Sequence, residues 1–314
     1  MRMSIRSSQF RNPFPDDALA GSPLILGSPA HKELFCRSFI DTHRKFEPEE
    51  IRWPALEWED LQRLKALPVW NEATRTEAET AVKVQALGER EKDPLLSEAI
   101  ALQGYEEGRH ARIIRILTER YGIAVAPFPD PRPPRDAEWA FLKTGYGECI
   151  DSFFAFGLFE MGRRSEYFPN SLTDIFEQIV QEEARHILFL VNWAAYCRRR
   201  FPLLLRPFYD ARRAWAVGSE LVGHAMHAFT FGKGSSQEGF EMGTHKDFGE
   251  ISPRGFLELC LSESERRLSV YDSRLPRPRL IPSLVRVALR LMPEAADRTP
   301  GASPDADLAK GGPS

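Results

Sequence analysis

The sequence lacks the features that mark several classes of protein. It contains no run of 18 apolar residues, so we expect no transmembrane helix. Its 42 basic and 45 acidic residues leave a net charge of -3, whereas domains that bind nucleic acid are usually basic. The arginines near the N-terminus are not followed by the apolar stretch that a secretory signal needs. We therefore expect no nucleic-acid partner and no export.

Cysteine is also scarce and is spread along the chain. No two cysteines form a C-x-x-C pair, which disfavours a cysteine zinc site, a disulfide framework and a cysteine-rich iron domain. The expected protein is cytoplasmic, with small, reduced and buried thiols. The four cysteines are Cys36, Cys149, Cys197 and Cys260.

Alternation of β-branched and polar residues is nearly absent, and long segments instead show helical patterns, which predicts an all-α protein. Asp93-Pro94 predicts the start of a long helix and Gly122 predicts its end. The triplet Pro169-Asn170-Ser171 is expected to break one helix and cap the next. The proline-rich segment 126–135 is expected to form an extended crossover between two helical pairs.

These patterns divide the chain into five predicted parts, of which the third is the expected core. They are a flexible arm (1–30), a helical N-terminal extension (31–70), a four-helix bundle (71–200), C-terminal helices packed on the bundle (201–292) and a disordered tail (293–314).

Two of the predicted helices contain nearly the same five residues, EEGRH at 106–110 and EEARH at 182–186. In each, the second glutamate and the histidine are three residues apart, which places them on one helix face. The rest of that face is largely apolar in both helices. A carboxylate and an imidazole in such a stripe are costly to bury unless they are paired or bind metal. The repetition at matching positions of two helical hairpins favours metal.

This arrangement resembles the ferritin-like di-iron carboxylate proteins, over about residues 71–200. In that family two helices each supply Glu-x-x-His and two others each supply one glutamate. The resemblance implies a ferritin-like four-helix bundle that holds two iron ions, or one iron and one manganese. It makes Glu107, His110, Glu183 and His186 metal ligands.

The two remaining glutamates are predicted from their distance to the turn of each hairpin. Glu77 and Glu148 lie about as far before their turns as the Glu-x-x-His residues lie after them. The face around Glu77 is small and mostly apolar, as close helix packing requires. Glu79 is the reserve ligand, because it shares its face with Lys83 and Arg90 and therefore suits solvent better.

Several neighbours of these residues receive weaker assignments. Asp151, one turn after Glu148, is the candidate carboxylate that holds a ligand histidine through its far ring nitrogen. Arg109 and Arg185 are expected to pair with Glu106 and Glu182 or with a neighbouring helix. The role of His224 and His227 is left open. The role of the glycines near the ligands is also left open. They either allow close helix packing or leave space for a ligand.

The resemblance implies a class of activity but no substrate. Iron storage is disfavoured because about 70 residues precede the bundle and over 100 follow it. The expectation is an oxidase or oxygenase that acts on a small organic substrate with dioxygen or peroxide. The alternative is a non-catalytic metal-binding or scaffold protein of the same fold. Formation of a homodimer stays open, as does the choice between iron and manganese.

Overall fold

The computed structural model describes residues 24–231 and 251–292, and all regular secondary structure in these ranges is helical. The predicted all-α class is confirmed for these residues. The predicted tail and most of the predicted arm lie outside them. The α-helices are α1 (Pro29–Asp41), α2 (Trp58–Ala66), α3 (Trp70–Gly88), α4 (Pro94–Tyr121), α5 (Ala137–Arg164), α6 (Asn170–Arg200), α7 (Arg206–Phe231), α8 (Pro253–Leu268) and α9 (Leu280–Leu291), with short 3-10 turns at Pro48–Glu50 and Leu203–Leu205.

Both ends of α4 form as the sequence predicts. The Asp93 carboxylate accepts hydrogen bonds from the amides of Leu95 and Leu96, at 3.1 and 3.2 Å, and so satisfies amides that lack partners within the helix. Pro94 occupies the first turn, where no backbone donor is needed. At the other end Gly122 adopts φ 62°, a left-handed conformation that favours glycine.

The start of α6 differs from the prediction. Asn170 is already helical, Pro169 occupies the capping position, and no side chain caps the first turn.

The segment between α4 and α5 has no helix, as predicted for a crossover. The guanidinium of Arg90 holds the C-terminal end of this segment by donating hydrogen bonds to the carbonyls of Pro134 and Arg135.

Helices α3 to α6 pack as two hairpins. The α3–α4 hairpin contacts the α5–α6 hairpin through α3 and α5, while polar side chains join α4 to α6. Apolar residues of these helices and of α1 fill the core, which includes Leu96, Ile100, Phe141, Phe156, Leu190 and Trp193. Burial of such side chains is the main stabilising contribution.

The other helices pack around the bundle. Helix α1 lies on α4 and α6, α7 and α8 lie on α5 and α6, and α9 lies on α5 and α8. The division of the chain into domains stays a prediction. Within the described ranges no helix combines the length and apolar character that are required to cross a membrane.

Two glycines near the predicted ligands serve close helix packing. A Cβ atom on Gly104 would lie 2.8 Å from Cγ of Gln85 and 3.1 Å from its backbone nitrogen. A Cβ on Gly145 would lie 2.6 Å from a methyl group of Leu190. These residues therefore allow α4 to approach α3, and α5 to approach α6, rather than leaving room for a ligand.

Candidate metal centre

Four carboxylate and imidazole groups from three helices meet inside the bundle. Glu77 of α3, Glu107 and His110 of α4, and Glu183 of α6 each offer a potential ligand atom, and these atoms lie within 4.8 Å of one another. Nδ1 of His110 is 3.0 Å from Glu183 and 3.6 Å from Glu77. This spacing suits groups that share a cation.

His186 and Glu148 complete the cluster. Nδ1 of His186 is 2.8 Å from Glu107, and its ring stacks on His110 with a centroid distance of 5.6 Å. Burial raises the pKa of Glu148, and the negative charges of Glu107 and Glu183 raise it further. Of the six residues that the sequence singled out as metal ligands, four therefore share one group of potential ligand atoms. His186 contacts Glu107 of that group, and Glu148 is close enough for the charges of Glu107 and Glu183 to raise its pKa.

The structure separates Glu77 from its rival. Glu77 faces His110, and burial raises the pKa of its carboxyl group to about 7. Glu79 pairs with Lys83 at 3.0 Å, and 42% of its side chain is exposed. The two positions differ by about 200° around the helix, so only one can face the cluster.

Alanine variants of these two glutamates form a matched pair. We expect Glu77→Ala to lower the metal content of the purified protein severalfold, because a carboxylate is removed from the cluster. Glu79→Ala should keep the metal content of the wild type. Elemental analysis of both variants checks this, and loss of metal from Glu79→Ala alone would reverse the assignment.

The first glutamate of each EE-x-RH pattern supports the histidine of the other pattern. Nε2 of His110 lies 2.8 Å from Glu182, and Nε2 of His186 lies 2.9 Å from Glu106. This reversed order shows that α4 and α6 run antiparallel. An ionised carboxylate only accepts hydrogen bonds, so each Nε2 carries the hydrogen. In a neutral imidazole that leaves the Nδ1 lone pair for the cluster.

The two arginines reinforce the same crossed arrangement. Arg109 donates to Glu182 at 2.6 Å, and Arg185 donates to Glu106. Each therefore pairs across the bundle, whereas the glutamate of its own pattern is 3.8 or 3.9 Å away. The arginines therefore pair with Glu106 and Glu182, as the sequence predicted, and each pairing joins α4 to α6.

The ionisation of these groups follows from their pairing. Burial alone would lower the pKa of both histidines, but adjacent carboxylates raise it well above 6.5. Burial favours the neutral form of Glu106 and Glu182, yet hydrogen bonds from histidine lower the pKa of both. The pKa of Glu183 is likewise lowered, because His186 and His110 outweigh its burial. Without metal, the adjacent carboxylates therefore favour the protonated form of both histidines.

The N-terminal extension covers one side of the network, which sequence reasoning did not predict. His43 contacts Glu106 through Nδ1. The guanidinium of Arg109 lies 4.0 Å from the ring of Phe46, and that of Arg185 lies 4.7 Å from the ring of Phe39. An isolated histidine and two phenylalanines carry no local signal, since only the fold brings them to the site.

Asp151 does not have the predicted role. Its carboxylate lies 2.8 Å from Nε2 of His224 on α7 and is 66% exposed. The carboxylates that hold the two cluster histidines are instead Glu106 and Glu182. The prediction failed because α7 packs against α5 and provides Asp151 with a different imidazole. The side chain of His227 lies outside the described part.

The pair of Asp151 and His224 has an expected pH dependence. The hydrogen bond to Asp151 raises the pKa of His224 from 6.5 to about 9. Its stabilisation is therefore complete below pH 6.5, the ordinary value in the unfolded chain, and is lost as the pH rises through 9. We expect His224→Gln to lower the melting temperature slightly at pH 6 and not at pH 10. Asp151→Asn should show the same profile, and equal effects of either change at both pH values would contradict the assignment.

Glu160 is buried although it lies near the C-terminal end of α5. Only 4% of its side chain is exposed, and it accepts hydrogen bonds from Arg163 and Arg164. Its charge is therefore neutralised by arginine rather than by water.

Access to the cluster is uneven. The side chains of Glu77 and Glu183 keep 23% and 19% of their surface accessible, whereas His110 and His186 keep none. Solvent therefore reaches the cluster on the carboxylate side. A separate cavity of about 750 Å³ lies at one end of the bundle, with Leu87, Trp193 and Phe201 in its wall.

No family model, curated protein or solved structure matches the chain.

Proposed function

We propose that the cluster binds two iron ions, or one iron and one manganese, and that the protein is an oxygen-activating oxidoreductase. The observation that carries the proposal is the paired geometry around His110 and His186. Each histidine turns Nδ1 toward carboxylates and Nε2 toward a supporting glutamate. The proposed ligands are Glu77, Glu107, His110, Glu148, Glu183 and His186.

The residues present fit such a pair of ions. Four buried atoms of the cluster have no hydrogen bond of good geometry, namely Nδ1 of His110 and His186, Oε1 of Glu183 and Oε2 of Glu148, although each Nδ1 lies close to a carboxylate. Buried polar atoms without partners are rare, and ions supply partners for several at once. Carboxylates and imidazoles suit iron and manganese, and the ligand set has no thiolate that would favour zinc.

The outer residues have roles that the proposal requires. Glu106 and Glu182 fix the orientation of the two imidazoles, as carboxylates commonly do for metal-bound histidines. Arg109 and Arg185 balance the charge of those carboxylates, which would otherwise add to the excess of negative charge. Phe39 packs on the ring of His186 and excludes water from that side. The accessible side near Glu77 is left for dioxygen and substrate.

Bound and reduced, such a pair supplies two electrons to dioxygen, one from each ferrous ion, and an external reductant restores them. The proposed activity is oxidation or oxygenation of a small organic substrate. The resemblance to ferritin-like di-iron proteins supports this class, and the buried position of the cluster agrees with it. The identity of the substrate is not part of the proposal.

A non-catalytic scaffold is the second candidate, and one observation favours it. The histidines and arginines of the network all have carboxylate partners without any metal. The network can therefore fold as a set of buried ion pairs. Its histidines would then stay protonated and would never bind a cation.

The reaction with oxygen separates the two candidates. Protein loaded with ferrous iron without air should consume dioxygen on mixing and show a transient change in visible absorption. Glu79→Ala should behave like the wild type because it keeps all six ligands, whereas His186→Ala should not react. Loaded wild-type protein that is inert to both dioxygen and peroxide would favour the scaffold.

A further inference from the structure

The outward face of α7 is unusually apolar for a surface helix. Between residues 206 and 224 every exposed residue is apolar or glycine. Phe208 is 74% exposed and Trp215 is 71% exposed. The preceding turn, Leu203–Leu205, extends the same kind of surface. Monomeric proteins rarely expose a continuous apolar patch of this size.

The charged residues of α7 that form ion pairs form them within the same chain. Asp210 pairs with Arg198 and Arg212 pairs with Asp136, both at 2.7 Å. Glu220 lies 3.4 Å from Lys143. None of the exposed positions between 206 and 224 is charged. The two other arginines of α7, Arg206 and Arg213, donate to the carbonyl of Phe201 and to the hydroxyl of Tyr146. A membrane-binding helix usually has lysine or arginine free to meet lipid headgroups, so this pattern favours a protein partner.

The spacing of large and small residues identifies the partner as a second copy of the chain. Phe208, Trp215 and Val222 recur every seven residues, and Ala211 and Gly218 lie between them. A seven-residue repeat of this kind is the seam of two paired helices. In an antiparallel pair related by a two-fold axis, Trp215 would meet Gly218 of the second copy, and Val222 would meet Ala211. A parallel pair would instead place each large residue against its own counterpart.

The available space and area agree with this partner. A Cβ atom added to Gly218 would meet nothing within 4 Å, so the surface above it is open. The exposed residues of α7 and Leu203–Leu205 together expose on the order of 1,000 Å², against the roughly 800 Å² that each partner buries in a standard interface. The segment that follows α7, residues 232–250, is a weaker candidate to cover this surface. Its large apolar residues are only Phe240, Met242 and Phe248.

We propose that two copies of this chain form a two-fold dimer through antiparallel packing of their α7 helices, with Trp215 of each copy against Gly218 of the other. A closed two-fold contact uses the same patch on both copies. The proposal does not depend on the metal centre.

Sedimentation of the full-length protein over a wide concentration range tests the proposal. We expect a dimer for the wild type. Trp215→Glu places a charge at the centre of the interface on both copies and should raise the dissociation constant at least about 100-fold. Trp58→Glu is the matched control, since Trp58 is 72% exposed on α2, and it should leave the dimer intact. Gly218→Phe should weaken the dimer by filling the space for Trp215.

Two results would overturn the proposal: the wild type stays monomeric at every concentration, or Trp215→Glu dimerises as well as Trp58→Glu does. A monomeric wild type that also floats with phosphatidylglycerol vesicles would assign the face to a membrane. Circular dichroism of each variant establishes that it remains folded.

Discussion

Replacing either His110 or His186 by alanine is expected to lower the iron content of the purified protein severalfold. Each substitution removes a nitrogen ligand and leaves a gap that alanine cannot fill. It also leaves Glu182 or Glu106 without its imidazole partner. The measurement is elemental analysis of iron and manganese per chain after purification without air.

The control for this experiment is a histidine that lies outside the cluster. His31 is as fully buried as His186, and its Nε2 lies 2.9 Å from Asn192. His31→Ala should therefore disturb packing to a similar degree but keep the metal. Equal metal content in all three variants and the wild type would remove these histidines from the proposed site.

The second large effect is expected from Glu182→Ala in metal-free protein. The guanidinium of Arg109 has no exposed surface, and Glu182 is its nearest carboxylate. Removing one partner of a buried ion pair leaves an uncompensated charge, which typically destabilises a protein by about 3–5 kcal/mol. Urea denaturation in the presence of a chelator measures the free energy of unfolding without a contribution from metal.

An exposed ion pair provides the control. Glu72 pairs with Arg75 at 2.6 Å, and 65% of the Glu72 side chain is exposed. Exposed pairs contribute about 0–1 kcal/mol, so Glu72→Ala should change stability little. If Glu182→Ala were no more destabilising than Glu72→Ala, the crossed network would not be the buried charge pairing described above.

The sequence predicted those parts of the fold that depend on local chemistry. The start and end of α4 follow from Asp93, Pro94 and Gly122, which act on backbone groups within a few residues. The pairing of Glu107 with His110 on one face follows from the helical repeat alone. The choice of Glu77 over Glu79 was also local, because the neighbours on each helix face differ in polarity.

The parts that the sequence did not predict depend on how the helices pack. Asp151 follows Glu148 by one turn of α5, but its side chain is 66% exposed and pairs with His224 of α7 instead. The support of each histidine by a glutamate of the other pattern depends on the antiparallel register of α4 and α6. The repeat of EE-x-RH did contain a signal for this crossed support, since two identical patterns related by a two-fold axis can satisfy each other's polar groups.

The central claim is that the Glu and His cluster binds two metal ions, and metal content measures it most directly. Protein purified without air and analysed for iron and manganese should contain about two ions per chain, and the double variant His110→Ala/His186→Ala should contain close to none. Wild-type protein that contains neither metal, and takes up neither when they are supplied, would contradict the claim and leave the cluster as a network of buried ion pairs.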